Sequence, residues 1–134
     1  MKKIKVQVNE VGKLSELSDC ELLTMKCIWD AGESVTASEV ITALRETYNL
    51  KYKDTTVYTF IQKLKDKGFV DSYRRGVTFY FPVRDKSEFC SQRMLKEKDL
   101  WFNGSAGEMI ETVIKASELS DEEKEQIKRL ANEL

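Results

Sequence analysis

The chain contains no histidine. That absence removes the commonest general base, the commonest zinc ligand and the partner of most serine and cysteine nucleophiles. An enzyme is therefore not expected, and no catalytic residue is assigned. Cysteine is scarce: Cys20, Cys27 and Cys90 are odd in number and show no CxxC spacing, so neither a disulfide framework nor a zinc ribbon is indicated. They read as small core residues, with no cofactor or metal expected. No apolar run approaches the roughly 18 to 20 residues of a membrane helix. The opening MKKIKVQVNEVGK lacks the apolar centre of a signal peptide, so a cytoplasmic protein without membrane insertion is expected. Internal repeats and low-complexity linkers are missing as well.

At 134 residues, 41% hydrophobic and 34% charged, the chain fits one domain, or a compact domain with a smaller appendage. The net charge of −1 hides a separation: residues 51–84 hold eight Lys and Arg against three Asp, a local +5, while residues 101–134 hold four basic and eight acidic side chains, a local −4. Local fields decide partners more than the total does. The acidic run Asp121, Glu122, Glu123 and Glu125 crowds the start of an expected helix, where carboxylates favour the positive dipole end.

Residues 1–13 alternate Ile4, Val6 and Val8 with polar residues, which suits a short strand or, more often at a terminus, a loose arm. Ser18-Asp19-Cys20-Glu21 is a capping box opening a helix with Leu22, Leu23, Met25, Ile28 and Trp29, which should stop near Asp30-Ala31-Gly32. Val35 suits a short added strand. A second box, Thr36-Ala37-Ser38-Glu39, opens a helix with Val40, Ile41 and Leu44 inward, ending before Asn49. The third helix, KDTTVYTFIQKL, is capped by Lys53 or Asp54 and closed by Lys67-Gly68.

After Gly68 the period falls to two. Val77, Phe79, Phe81 and Val83 alternate with polar or smaller residues, and Phe69, Val70 and Tyr73 precede Arg74-Arg75-Gly76, which predicts a hairpin with one buried face. Pro82 suggests an edge strand, and a three- or four-residue loop is expected with Gly76 left-handed. Three further helices open at Asp85-Lys86-Ser87-Glu88, Ser105 and Ser120-Asp121-Glu122-Glu123. Their stripes are Phe89, Cys90, Met94 and Trp101; Met109, Ile110, Val113 and Ile114; and Ile127, Leu130, Ala131 and Leu134. Such a segment is near the lower limit for burying a core alone, and a second copy is the economical cover.

The fold class expected is mostly α with a small β-hairpin, a winged helix-turn-helix followed by a helical region. In KDTTVYTFIQKL the inward stripe is Val57, Phe60, Ile61 and Leu64, while Thr55, Thr59, Gln62 and Lys63 lie opposite, with Thr56 and Tyr58 flanking. An ordinary solvent face would favour Glu, Lys and Arg. Short hydroxyl, amide and methyl groups with a cation are what a helix in the major groove needs. Asp54, as a cap, would have its carboxylate engaged by backbone N–H groups, and Arg74 and Arg75 would grip phosphate or enter the minor groove.

Leu17-Ser18-Asp19-Cys20-Glu21 with Met25 and Ile28-Trp29 is similar to the L-S-x-x-E-x-x-x-M-x-x-I-W of the penicillinase-repressor (BlaI/MecI/CopY) family of bacterial regulators. Lys67-Gly68-Phe69-Val70, the arginine-glycine wing, Trp101-Phe102-Asn103-Gly104-Ser105 and Leu119-Ser120 resemble later family segments. Beyond the arm at 1–13, the resemblance implies a winged-helix DNA-binding domain at 14–84 and a helical dimerisation region at 85–134. It implies a homodimeric repressor on a two-fold operator, with Lys53, Thr55, Thr56, Thr59 and Lys63 in the groove and Arg74 and Arg75 in the wing. Trp101, Phe102, Met109, Ile110, Val113, Ile114, Ile127 and Leu130 would join the subunits.

Penicillin-responsive members are cut at an Asn-Phe bond by a membrane-sensor protease, a further partner the resemblance suggests; the aligned pair here is Thr112-Val113. Copper-responsive members carry a C-terminal CxCx4CxC, which this sequence lacks, and Lys53-Asp54 stands where many relatives have Ser-Pro. Two alternatives remain: a winged-helix protein-interaction module, and a thiol- or metal-responsive regulator using Cys20, Cys27 and Cys90.

Overall fold

The computed structural model describes residues 16–134; the arm at 1–13, with its Ile4, Val6 and Val8 alternation, lies outside the described residues. The element order is α1 (Asp19–Ala31), β1 (Val35–Thr36), α2 (Ala37–Tyr48), α3 (Asp54–Asp66), β2 (Val70–Arg75), β3 (Val77–Pro82), α4 (Lys86–Phe102), α5 (Ala106–Ala116) and α6 (Asp121–Asn132). Of the described residues, 16–93 form one compact unit and 94–134 another. The first unit runs past residue 84 because Phe89, in the first turn of α4, is buried.

Local chemistry sets the helix ends. The Ser18 hydroxyl accepts the Glu21 N–H at 3.2 Å and the Glu21 carboxylate accepts the Ser18 N–H at 3.2 Å, completing the box that starts α1, which ends at Gly32 with φ 71°. The second box is only half formed. Thr36 Oγ1 accepts the Glu39 N–H, but the Glu39 carboxylate takes the Thr36 hydroxyl proton instead of a backbone one. At the end of α3, Phe69 N–H reaches Leu64 C=O at 2.9 Å and Gly68 N–H reaches Lys65 C=O at 3.0 Å, with Gly68 at φ 80°. This paired capping needs a left-handed residue, and glycine adopts it without a Cβ clash.

The core gathers Met25 and Ile28 of α1, Val40 and Leu44 of α2, and Val57, Ile61 and Leu64 of α3, with Leu17, Val35, Phe69, Val70 and Phe89. The sheet has the order β1-β3-β2, all antiparallel. Here two expectations are overturned. β3 is the central strand, not an edge; Pro82 is tolerated because β1 is only two residues long and pairs no farther than Tyr80. The buried face is also the other one. Val35 pairs with Tyr80, and both pack on the core, so the face shared by Tyr80, Ser72 and Val70 points inward. Phe79 and Phe81 lie outward against Tyr73, with ring centroids 5.4 and 6.1 Å away, and Val77 and Val83 are exposed.

One charged group enters the core. Glu21 is 3% exposed and receives Lys67 Nζ at 2.7 and 3.2 Å; the same ammonium donates to Glu16 C=O at 2.8 Å. Burial raises the Glu21 pKa, but the Lys67 hydrogen bond and charge, with the Ser18 N–H and hydroxyl, outweigh it and hold the carboxyl below its ordinary 4.5. The pair joins the first turn of α1 to the end of α3.

In the second unit, α5 and α6 are capped by Ser105 and Ser120, the latter with a full capping box. Neither helix contains a buried residue. Met94 and Trp101 of α4 are exposed, and Cys90, in the part of α4 that belongs to the first unit, is exposed and not the core residue expected.

Because the folded-state pKa of Glu21 is depressed, its contribution is fully present above pH 4.5 and is lost as pH falls through the lower folded value. Glu21→Ala should lower the unfolding free energy at neutral pH by about 2 kcal/mol, through the lost pair and the lost cap. Urea denaturation across pH should show this gap narrowing below pH 4.5; a pH-independent gap would refute the ionic part.

Candidate nucleic-acid interface

Val57, Ile61 and Leu64 are at most 1% exposed. Their burial sets the rotation of α3, which leaves Thr55, Tyr58, Thr59, Gln62 and Lys63 exposed, Thr56 half-buried and Lys53 exposed just ahead of the helix. The residues expected on one face are on one face. Phe60, at the edge of the inward stripe, is half-buried and meets Tyr52 edge-on, centroids 5.3 Å apart.

The hydrogen bonds refine what this face offers. Thr59 Oγ1 donates to Thr55 C=O at 3.0 Å, so its proton is taken and it presents a methyl group and acceptor lone pairs. Gln62 Nε2 donates to Asp66 Oδ1 at 2.9 Å, so Asp66 restrains the one amide on the face. Lys53 and Lys63 have no ion pair among the described residues, whereas Lys65 bonds Ser72 and Lys67 is held by Glu21.

The cap is a correction. Lys53 is the N-cap and no side chain caps α3, so the Asp54 carboxylate is not engaged by first-turn N–H groups as expected. Asp54 is instead the first helical residue, favoured there by the dipole, and adds negative charge at the rim of the face.

The wing differs in a related way. Pairing runs to Arg75↔Val77, leaving Gly76 alone at the tip with φ 76°, so both arginines stand in β2 and not in a longer loop. Consecutive strand residues point to opposite faces. Arg74 therefore shares a face with Ser72 and Tyr80, and Arg75 shares one with Tyr73 and Phe79. Both are exposed and neither is ion-paired among the described residues.

The wing and α3 converge. A cleft of about 250 Å³ is lined by Tyr58, by Thr36, Ala37 and Ser38 at the start of α2, and by Val77, Thr78 and Tyr80 of the wing. Of these, Ser38 and Thr78 were not assigned to the face from sequence, because their place depends on how α2 and β3 pack beside α3. The cleft gives the α3 face and the wing a common border, as a surface following a duplex requires.

The cysteines do not gather. Cys27 is buried, and burial, followed by the charge of Asp30, pushes its thiol pKa up to about 11, so it stays protonated near neutrality. Cys20 Sγ lies 3.0 Å from Tyr52 Oη, and Cys90 is exposed, not in the core. Among the described residues no group of three or more His, Cys, Asp or Glu is placed to hold a metal ion. No helix among them is long and apolar enough to cross a membrane.

Of the residues expected to join subunits, Trp101, Ile110, Val113 and Leu130 are exposed, and Phe102, Met109, Ile114 and Ile127 are half-buried. Thr112 and Val113 are both exposed within α5, with Thr112 Oγ1 donating to Glu108 C=O at 2.9 Å. A protease acting between them would have to unwind that helix.

The sequence pattern of one protein family, described as penicillinase repressor, matches residues 17–133. A penicillinase repressor of Bacillus licheniformis is 29% identical over 122 residues, covering 90% of this chain and 93% of that protein. The solution structure of the DNA-binding domain of the repressor BlaI is 32% identical, with a TM-score of 0.47, covering 66% of this chain and 93% of the other. Monomeric BlaI of Bacillus licheniformis, in complex with the blaP half-operator, is 31% identical with a TM-score of 0.46, covering 57% of this chain and 90% of that one.

Lys53 is a poor cap in a position where serine would supply an acceptor. Lys53→Ser should raise the unfolding free energy by about 1 kcal/mol while removing one unpaired cation from the face. A shift of the urea midpoint to higher denaturant, with weaker retention of duplex DNA, would bear this out; loss of stability would show that Lys53 supports the fold in some other way.

Proposed function

The chain belongs to the penicillinase repressor family, and from that premise we propose that it is a sequence-specific DNA-binding transcriptional repressor, acting as a homodimer on a palindromic operator. The observation that carries the reading is the outward face of α3, with its threonines and unpaired lysines, bordering a wing that bears two unpaired arginines. Lys53, Thr55, Thr56, Thr59 and Lys63 are its groove residues. Arg74 and Arg75, on opposite faces of the hairpin, bind phosphates on different paths.

Chemistry assigns the roles. The Thr59 methyl suits the thymine methyl group, and the threonine lone pairs suit base donors. Lys53, Lys63 and the arginines neutralise phosphates and release counterions. Nothing in this reading requires catalysis or a cofactor.

The dimer follows from uncovered apolar surface. Ile110 and Val113 are each 56% exposed, Leu130 57% and Trp101 69%. Water-facing stripes of this kind mark an interface, and a second copy of the same helices covers them symmetrically. Two copies then present their α3 helices about 34 Å apart, one turn of B-DNA, or at a multiple of it.

If each subunit neutralises about four phosphates, log K for the dimer should fall against log[salt] with a slope near −7. A slope near zero in a salt titration would be fatal to the reading. Arg75→Ala should weaken binding to all sequences alike. Thr59→Ala should cost about 1–3 kcal/mol at one operator position, and Thr59→Val, which keeps the methyl group, should cost less. Leu130→Lys should shift sedimentation from dimer to monomer; a dimer that persists would move the interface elsewhere.

A further inference from the structure

Gln62 carries the one amide on the outward face of α3, and a neighbour decides how that amide is held. Thr55, Thr59, Gln62 and Asp66 follow one another at i, i+4, i+7 and i+11, a single stripe along the helix. Gln62 stands about 60° around the axis from Thr59, and both Gln62 and Asp66 are exposed. The Gln62 Nε2 donates to Asp66 Oδ1 at 2.9 Å.

A carboxylate only accepts, so the nitrogen of the amide, and not its oxygen, is turned toward Asp66. What stays free on Gln62 is one N–H and the lone pairs of Oε1. One donor and one acceptor are the set that matches N7 and N6 of adenine in the major groove.

Asp66 is in no ion pair among the described residues. Its neighbours in sequence, Lys65 and Lys67, donate instead to Ser72 Oγ and to Glu21. A side-chain pair four residues apart adds little to the stability of a helix. Its effect here is on freedom: a long side chain already held in one rotamer has less to lose when it meets a base. Glutamine also reaches two bonds farther from the backbone than threonine, which extends the readable surface past Thr59 toward the end of α3.

We propose that Gln62 is a specificity-determining residue that reads one adenine of the operator, Oε1 accepting from N6 and the free Nε2–H donating to N7, with Asp66 as the positioning residue that turns the amide. The inference rests on the DNA-binding reading above and adds to it the base that this part of the helix selects.

The test begins with a duplex that the full wild-type chain enriches from a randomised pool. Each position of that site is then replaced by the other three base pairs, and affinities are compared as ratios. One adenine should be preferred by wild type about tenfold or more. In Gln62→Met, which keeps the length but has neither donor nor strong acceptor, that preference should fall to near unity while the other positions keep theirs. Asp66→Ala should lower the same preference about threefold, and Asp66→Asn, which keeps an acceptor oxygen, should restore it. Both Asp66 variants lose a negative charge and bind all sequences somewhat more tightly, so the ratio is the readout and not the affinity. Replacing that adenine by 7-deazaadenine, which lacks the N7 acceptor, should weaken wild type about fivefold and leave Gln62→Met unchanged.

A Gln62→Met profile that matches wild type at every position, or one that changes only at bases other than adenine, overturns the inference and leaves the DNA-binding reading standing. An Asp66→Ala profile equal to wild type, or no recovery in Asp66→Asn, overturns the positioning role. A pool from which wild type enriches no sequence overturns the inference and the reading beneath it.

Discussion

The burial of Val57, Ile61 and Leu64 against α1 and α2 is the constraint on which the candidate interface depends. These side chains are spaced so that all lie on one side of a helix with 3.6 residues per turn, and their burial fixes its rotation. Turning α3 by one residue, about 100°, would bury threonines and expose a core valine. At about 25 cal/mol per Å² of apolar surface, such a rotation costs several kcal/mol, more than hydrogen bonding on the outer face could return. The chemistry offered outside is therefore decided by the chemistry buried inside.

That rotation frees the outer face from folding duties, and the residues there show it. Threonine has lower helix propensity than alanine, leucine or lysine, and α3 starts at a lysine that makes no side-chain cap. The stability forgone is small beside what the rest of the unit supplies: the paired capping at Gly68, the Glu21–Lys67 pair and the aromatic contacts of Phe69 and Phe89. Local propensity departs from the global fold where a ligand face is proposed, the pattern expected when function and folding compete for the same positions.

What could be read in the sequence was local. The box at Ser18, the stripe of α3 and the left-handed Gly76 each depend on residues within a few positions of one another, and each is present; the short strand at Val35 is present too, through its pairing with β3. The buried face of the wing was misjudged because Tyr80 is as aromatic as Phe79 and Phe81, so alternation alone could not choose between faces. β1, two residues long and forty-odd positions away, makes that choice by pairing Val35 with Tyr80. Cys90 failed as well: it is exposed beside the buried Phe89, a difference set by how α4 packs that the apolar pattern did not separate. The cap of α3 turned on a single residue, Lys53 or Asp54, finer than any pattern resolves. The ion pair of Arg84 with Glu16 spans 68 positions and belongs to tertiary packing alone.

The charge layout bears on how such a face would find its target. A chain with a net charge of −1 has no long-range attraction for a polyanion, yet residues 51–84 carry a local +5. At physiological salt the Debye length is about 8 Å, so the attraction of that region for phosphate acts only at close approach. Attraction then requires the basic surface to face the duplex, and other orientations are neutral or repelled. Weak non-specific binding and oriented close approach follow from the same distribution. Base contacts through short threonine side chains, individually modest, can then discriminate among sites because non-specific attraction does not overwhelm them.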